Sequence, residues 1–107
     1  MTSPTRVRLK PRARADLLAI RAWGEDRWGE DRTAEFLEGL IEALERLNEF
    51  PQMGRSREAL LPGLRSVRHR GYVVFYVLED GAPTILAVLH ERRNHAALDF
   101  ADRLEGE

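Results

Sequence analysis

Residues 72–91 constrain the fold more than any other part of the chain. Tyr72-Val-Val-Phe-Tyr-Val-Leu78 and Thr84-Ile-Leu-Ala-Val-Leu-His-Glu91 are two apolar runs rich in β-formers, separated by Glu79-Asp80-Gly81-Ala82-Pro83. An Asp-Gly pair in the middle of so short a connection predicts a β-hairpin. The first run is β-branched and aromatic at odd and even positions alike. It therefore predicts a central strand covered on at least one side.

Residues 33–50 supply one cover. Ala34, Leu37, Ile41 and Leu44 form a helical row, and Phe36, Leu40, Ala43 and Leu47 form the row beside it. Glu35, Glu38, Glu42, Glu45 and Glu49 take the outer side, and Phe50-Pro51 ends the pattern. The expectation is that Leu37, Ile41 and Leu44 serve the core, while part of the Phe36–Leu40–Leu47 row faces a partner. Upstream, Pro11 suits the first turn of another helix. Ala13, Leu17, Ile20 and Gly24 fall on its inner face, widened by Leu18 and Trp23, and Gly29 closes it. Two helices of roughly four turns each, joined by a few residues, make an antiparallel hairpin.

Arg6-Val7-Arg8-Leu9-Lys10 alternates like a short strand, residues 51–63 read as a loop, and Leu64–Arg70 as a strand ending at Gly71. Residues 96–104 form either a short, weakly amphipathic closing helix or a frayed end. The order β-α-α-β-β-β predicts an α+β fold, a helical hairpin on a small, mostly antiparallel sheet, in one domain spanning residues 1–107.

The chain has no cysteine, which excludes disulfides and thiolate metal sites and suits a reducing cytoplasm. The first eighteen residues lack the apolar core of a secretory signal, and no apolar run approaches bilayer length. A cytoplasmic protein without a membrane partner is the expectation. Net charge is −1, but the charges fall in blocks. Residues 1–15 carry five cations and no acid, 16–50 ten acids against four cations, 51–78 five cations against one acid, and 79–107 seven acids against three. Such alternation makes a dipolar surface suited to an oppositely charged partner. Sixteen of the seventeen cations are arginine, which fits bidentate carboxylate or phosphate contacts as well as a plain codon bias.

The second hairpin run ends in His90-Glu91-Arg92-Arg93-Asn94-His95. His90, Glu91, His95 and Asp99 do not make a recognisable zinc set, so neither a metal nor any other cofactor is expected. Ser56 and Ser66 lack a nucleophile elbow, and Gly54 and Gly63 lack a phosphate-loop pattern. What remains is arginine: Arg55, Arg57, Arg65, Arg68 and Arg70 around the second strand, with Arg92 and Arg93 leaving the last strand near His69 or His90. Such a face suits three readings: an RNA-cleaving site, a partner-binding surface, or an edge strand guarded by charge.

Five stretches taken in order carry a resemblance. Leu9, Pro11, Ala13, Asp16, Leu17 and Ile20 form L-x-P-x-A-x-x-D-L-x-x-I. Phe50-Pro-Gln-Met-Gly-Arg-Ser-Arg57 follows the second helix, and Leu61-Pro-Gly-Leu-Arg-Ser66 enters the second strand. Tyr72–Tyr76 and Val88–Arg93 complete the set. At this spacing the chain resembles toxins of the RelE/ParE superfamily over nearly its whole length, and the ParE branch more than the RelE branch.

The resemblance implies the toxin half of a type II toxin–antitoxin pair. ParE-like toxins are regarded as non-enzymatic poisons of DNA gyrase, whereas RelE-like toxins cut messenger RNA on the ribosome using basic residues and a C-terminal tyrosine. This chain departs from the RelE pattern: Lys10 is its only lysine and no tyrosine follows Arg93. No confident catalytic set emerges; a ribonuclease would have to draw on Arg65, Arg68, Arg70, His90 and Arg92. The resemblance implies a ParD-like or similar DNA-binding antitoxin whose disordered C-terminal segment would meet Trp23, Trp28, Phe36, Leu40, Leu47, Arg55, Arg57 and Arg65. DNA gyrase would meet His90, Arg92, Arg93, Leu98 and Phe100. The residues after Arg93 are expected to carry too little apolar surface to anchor the fold.

Overall fold

A computed structural model describes residues 7–106. Its elements in chain order are β1 (Arg8–Leu9), α1 (Pro11–Trp28), α2 (Glu30–Glu49), β2 (Arg55–Ser56), β3 (Arg65–His69), β4 (Tyr72–Glu79), β5 (Ala82–His90), a 3-10 turn (His95–Ala97) and α3 (Phe100–Glu105). The strands form one sheet in the order β1-β5-β4-β3-β2, antiparallel except where β1 runs parallel to β5. The expected α+β arrangement is thus present, with one addition. The segment 51–63, read as a loop, contributes β2, which pairs Arg55 with Ser66 and Ser56 with Arg65. Arg6, assigned to the first strand, lies outside the described residues.

The two long helices are joined by the single residue Gly29, at φ 90°, a left-handed value that glycine adopts without Cβ strain. Thr33 fixes this corner by donating its hydroxyl to the Gly29 carbonyl at 2.8 Å. The helices lie on the face of the sheet formed by Val74, Tyr76, Ile85 and Val88, with Ala13, Ile20, Phe36, Leu40, Leu44 and Leu47 closing the core. Here Leu44 is core as expected, but the rest of the two rows exchange places. Leu40 and Leu47 are fully buried and Phe36 nearly so, while Ile41 is 51% exposed and Leu37 only partly covered. The rows are one helical step apart, and α2 is rotated so that Phe36–Leu40–Leu47 meets the sheet. Those three residues therefore cannot face a partner. Leu18 and Trp23, expected to widen the inner face of α1, are largely exposed.

The other face of the sheet also carries a core, in which Val73, Phe75, Val77, Leu86, Ala87 and Leu89 are buried together with Leu64 and Phe100. Its cover is the tail, which corrects the expectation that residues beyond Arg93 do not anchor the fold. Phe100 is 2% exposed, lies 4.8 Å from Phe75 between ring centroids, and is joined by Leu98 and Leu104. The short helix α3 opens on Asp99, whose carboxylate accepts the Asp102 amide at 2.9 Å.

A bulge in β5 decides which residues reach which face. Phe75 pairs with Ala87 but Tyr76 with Ile85, so Leu86 is the extra residue, and Leu86 and Ala87 both point into the second core. The irregularity is held from outside the sheet, where β1 is too short to pair. Arg103 on α3 donates to the Leu86 carbonyl at 2.9 Å, and Asp16 on α1 accepts the Val88 amide at 2.9 Å. Arg103 and Asp16 bond each other at 2.9 Å with side chains only 9% and 15% exposed. This clasp satisfies edge groups that a sixth strand would otherwise have to pair.

Candidate functional site

The helix-free end of the second sheet face opens into a groove of about 790 Å³ lined by Met53, Arg55, Arg57, Ser66, Val67, Arg68, Val73, Glu91 and Arg92. The pairing register explains the convergence. Ser66 faces Phe75 and Arg68 faces Val73, all on one side of the sheet, and β2 brings Arg55 alongside Ser66. Arg57 sits over the Phe75 ring, 5.2 Å from its centroid, and donates to Ser66 Oγ at 3.3 Å. Arg68 pairs with Glu91. Four guanidiniums against one carboxylate leave the groove strongly cationic.

The loop that delivers Met53, Arg55 and Arg57 is fixed from below. Buried Tyr76 donates its hydroxyl to the Pro51 carbonyl at 2.7 Å and accepts the Gly54 amide at 2.9 Å. A Cβ on residue 54 would lie 2.5 Å from that hydroxyl, so glycine is required for the approach. Burial pushes the Tyr76 phenol above its ordinary pKa, which keeps it a neutral donor; the Gly54 amide and Arg65 oppose the shift less strongly. Arg65 lies on the opposite face from Arg68 and donates to the carbonyls of Gln52 at 3.1 Å and Gly54 at 2.8 Å. Arg65 thus orders the loop, through backbone oxygens rather than helix carboxylates.

The residues weighed for RNA cleavage are therefore not assembled. Arg68 and Arg92 line the groove, Arg65 is engaged beneath the loop, and Arg70 occupies the β3–β4 turn at φ 46°. His90 pairs with Tyr72 on the helix-covered side, its ring edge-on at 5.3 Å, and its Nδ1 accepts the Arg92 amide. Tyr72 in turn touches Phe36, Phe36 touches Trp28, and Trp28 touches Trp23, with centroid distances of 5.4, 5.7 and 5.3 Å. Trp28 belongs to this packed aromatic chain. Trp23 is its exposed end, with Arg27 over its ring. A second, smaller groove of about 400 Å³ at the β5 edge brings Trp23 together with Asp16, Tyr72, His90 and Arg93. Of the residues expected to meet a target, His90, Arg92 and Arg93 are exposed, Leu98 is partly covered and Phe100 is core, so Phe100 cannot contact a target in this fold.

Sequence reasoning gave Met53 and Val73 no place at the site and weighed the Glu91 carboxylate only as a metal ligand. The signal for Glu91 was register: once Tyr72 pairs with His90, Glu91 falls on the side of Arg68. Among the described residues no group of three or more His, Cys, Asp or Glu side chains could hold a metal ion, and no helix is long and apolar enough to cross a membrane.

Comparison with known proteins sharpens this picture. A family profile described as the ParE toxin of the type II toxin–antitoxin system parDE matches residues 7–95. Toxin ParE1 of Caulobacter vibrioides is 37% identical over 90 residues, covering 84% of this chain and 93% of that protein. Toxin ParE3 of the same organism is 38% identical over 61 residues, 57% of this chain and 61% of that one. A solved chain from the chromosomal ParDE TA system from P. aeruginosa superposes with a TM-score of 0.69 at 18% identity, covering 81% of this chain and 96% of its own. That likeness shows the shared fold.

Proposed function

The chain belongs to the ParE family of toxins from type II toxin–antitoxin systems, and on that premise we propose that a cognate antitoxin silences it and that, once free, it poisons DNA gyrase. The observation that carries this reading is the family match across residues 7–95, which spans α1, α2, all five strands and the start of the tail. The site supports holding a target rather than cutting one. Ribonuclease chemistry needs a base, an acid and charge stabilisation within reach of one phosphate. Here His90 is turned away from the arginine groove and Arg65 is committed to loop carbonyls. Stalling gyrase on cleaved DNA needs only a complementary surface.

The corrected helix rotation supports a docking surface for the antitoxin on the helical layer. The exposed apolar side chains of the helical layer are Leu18, Trp23 and Ile41, with Leu37 partly covered beside them. They suit the apolar face of an antitoxin helix.

The test is to incubate the purified chain with gyrase and supercoiled plasmid, then denature the protein. Linear plasmid accumulating with toxin dose, and suppressed by the antitoxin, is the expected outcome. Codon-specific messenger RNA cuts in expressing cells, with gyrase unaffected, would replace gyrase by the ribosome as target.

A further inference from the structure

We infer that the arginine groove on the second sheet face is a docking site for a nucleic-acid strand, which it grips by its phosphodiester groups without cleaving it. The inference deepens the gyrase reading and rests on it for its purpose, since a protein that stalls gyrase on cleaved DNA works beside a DNA strand.

Four separate segments each send one guanidinium to this groove: Arg55 from β2, Arg57 from the turn after it, Arg68 from β3 and Arg92 from the turn after β5. Other arginines nearby are spent on structure, Arg65 on the loop and Arg103 on the β5 edge. The acids do not cancel the groove. Glu58, the one acid in residues 51–78, accepts the Gly63 amide at 2.8 Å, so Glu91 is the sole carboxylate in the lining. Three positive charges remain in surplus. Arg57 is ordered in advance by the Phe75 ring and by Ser66, so little side-chain freedom is lost when an anion arrives.

A nucleic acid fits better than an acidic peptide. The strand at the groove's edge, β2, is only two residues long, so an extended peptide would find few backbone partners there. A strand of nucleic acid needs only cations and flat surfaces, and the guanidinium of Arg57, held over Phe75, supplies both. The lining contains no imidazole or phenol, its one carboxylate, Glu91, is paired with Arg68, and His95, edge-on to Phe75, donates its Nε2–H to the His90 carbonyl, which accords with gripping and not cutting.

The test is fluorescence anisotropy of the purified chain with a labelled single-stranded DNA of about twelve nucleotides, a length within the usual span of such sites. Three neutralised phosphates give a slope of about −2 for log affinity against log salt, which is about 15–20-fold weaker binding between 50 and 200 mM salt. Arg57→Ala and Arg92→Ala should each flatten that slope by about 0.7, and Glu91→Gln should steepen it by a similar amount. Arg32→Ala, on α2, should leave it unchanged. Absence of salt-dependent binding by a chain with native circular dichroism overturns the inference. So does equal or tighter binding of a glutamate-rich peptide of matched charge, or recovery of shortened oligonucleotide. The assay contains no gyrase, so a chain that binds no DNA yet still traps gyrase refutes this inference while leaving the proposed target intact.

Discussion

Replacing Arg103 by alanine removes the cation that joins α1, α3 and the bulge of β5. Its guanidinium touches both the Asp16 carboxylate and the Leu86 carbonyl, and the two charged side chains are 9% and 15% exposed, so solvent does little to screen the loss. Breaking a buried pair from one side costs about 3–5 kcal/mol, because the remaining charge stays buried without its partner. For a domain of about 100 residues each kcal/mol is worth about 4 °C or more, so the melting temperature should fall by about 12–20 °C. That loss approaches the whole stability of a small domain. The surface pair Arg12–Asp102 joins the same two helices at 2.7 Å, but its side chains are 59% and 50% exposed. Arg12→Ala should therefore cost under about 1 kcal/mol. Urea titration of both variants measures the contrast. A further variant, Asp16→Leu with Arg103→Met, should recover only part of the loss, since an apolar pair leaves no buried charge but strands the Val88 amide and the Leu86 carbonyl. An Arg103→Ala chain within about 1 kcal/mol of wild type would refute the claim that this clasp closes the sheet edge.

Three other outcomes are expected. Leu40→Asp, which buries a carboxylate at a fully covered site, should abolish folding or cost well over about 3 kcal/mol, whereas Ile41→Asp should leave stability within about 0.5 kcal/mol and weaken antitoxin binding; calorimetry checks both. Gly54→Ala forces a Cβ against the Tyr76 hydroxyl and should destabilise by about 1–3 kcal/mol, seen as a lowered urea midpoint with loosened exchange protection in residues 51–57. His69 has its pKa lowered by burial first and by Arg70 and Arg46 next, against a smaller opposing contribution from the Phe36 backbone. Because the unfolded chain binds that proton more readily, the stability tied to neutral His69 is complete above about pH 6.5 and declines as pH falls through its depressed folded value. His69→Leu should flatten the stability profile in that window; an unchanged profile would assign the pH dependence to other groups.

Much of this fold is legible in the sequence, because the signals are local. Pro11, Gly29 and Phe50-Pro51 bound the helices through backbone dihedrals, and the Asp80-Gly81 turn fixes the hairpin, whichever neighbours pack around them. The arginines of the groove are visible as a charged block, and the alternation along β3 separates Arg65 from Arg68. Three matters were settled only by the assembled tertiary structure. The choice between two adjacent apolar rows on α2 depends on how the helix is rotated against the sheet and α1, a property of all three together. The burial of Phe100 and Arg103 arises because the second sheet face has no other cover at that end, a need that a weakly apolar tail does not announce. Last is the direction of His90. In an uninterrupted strand the alternation from Ile85 would carry His90 to the arginine side, and the bulge at Leu86 turns it to the helix side instead. That bulge is held by Asp16 and Arg103, 87 positions apart, so no local pattern around His90 encodes the outcome.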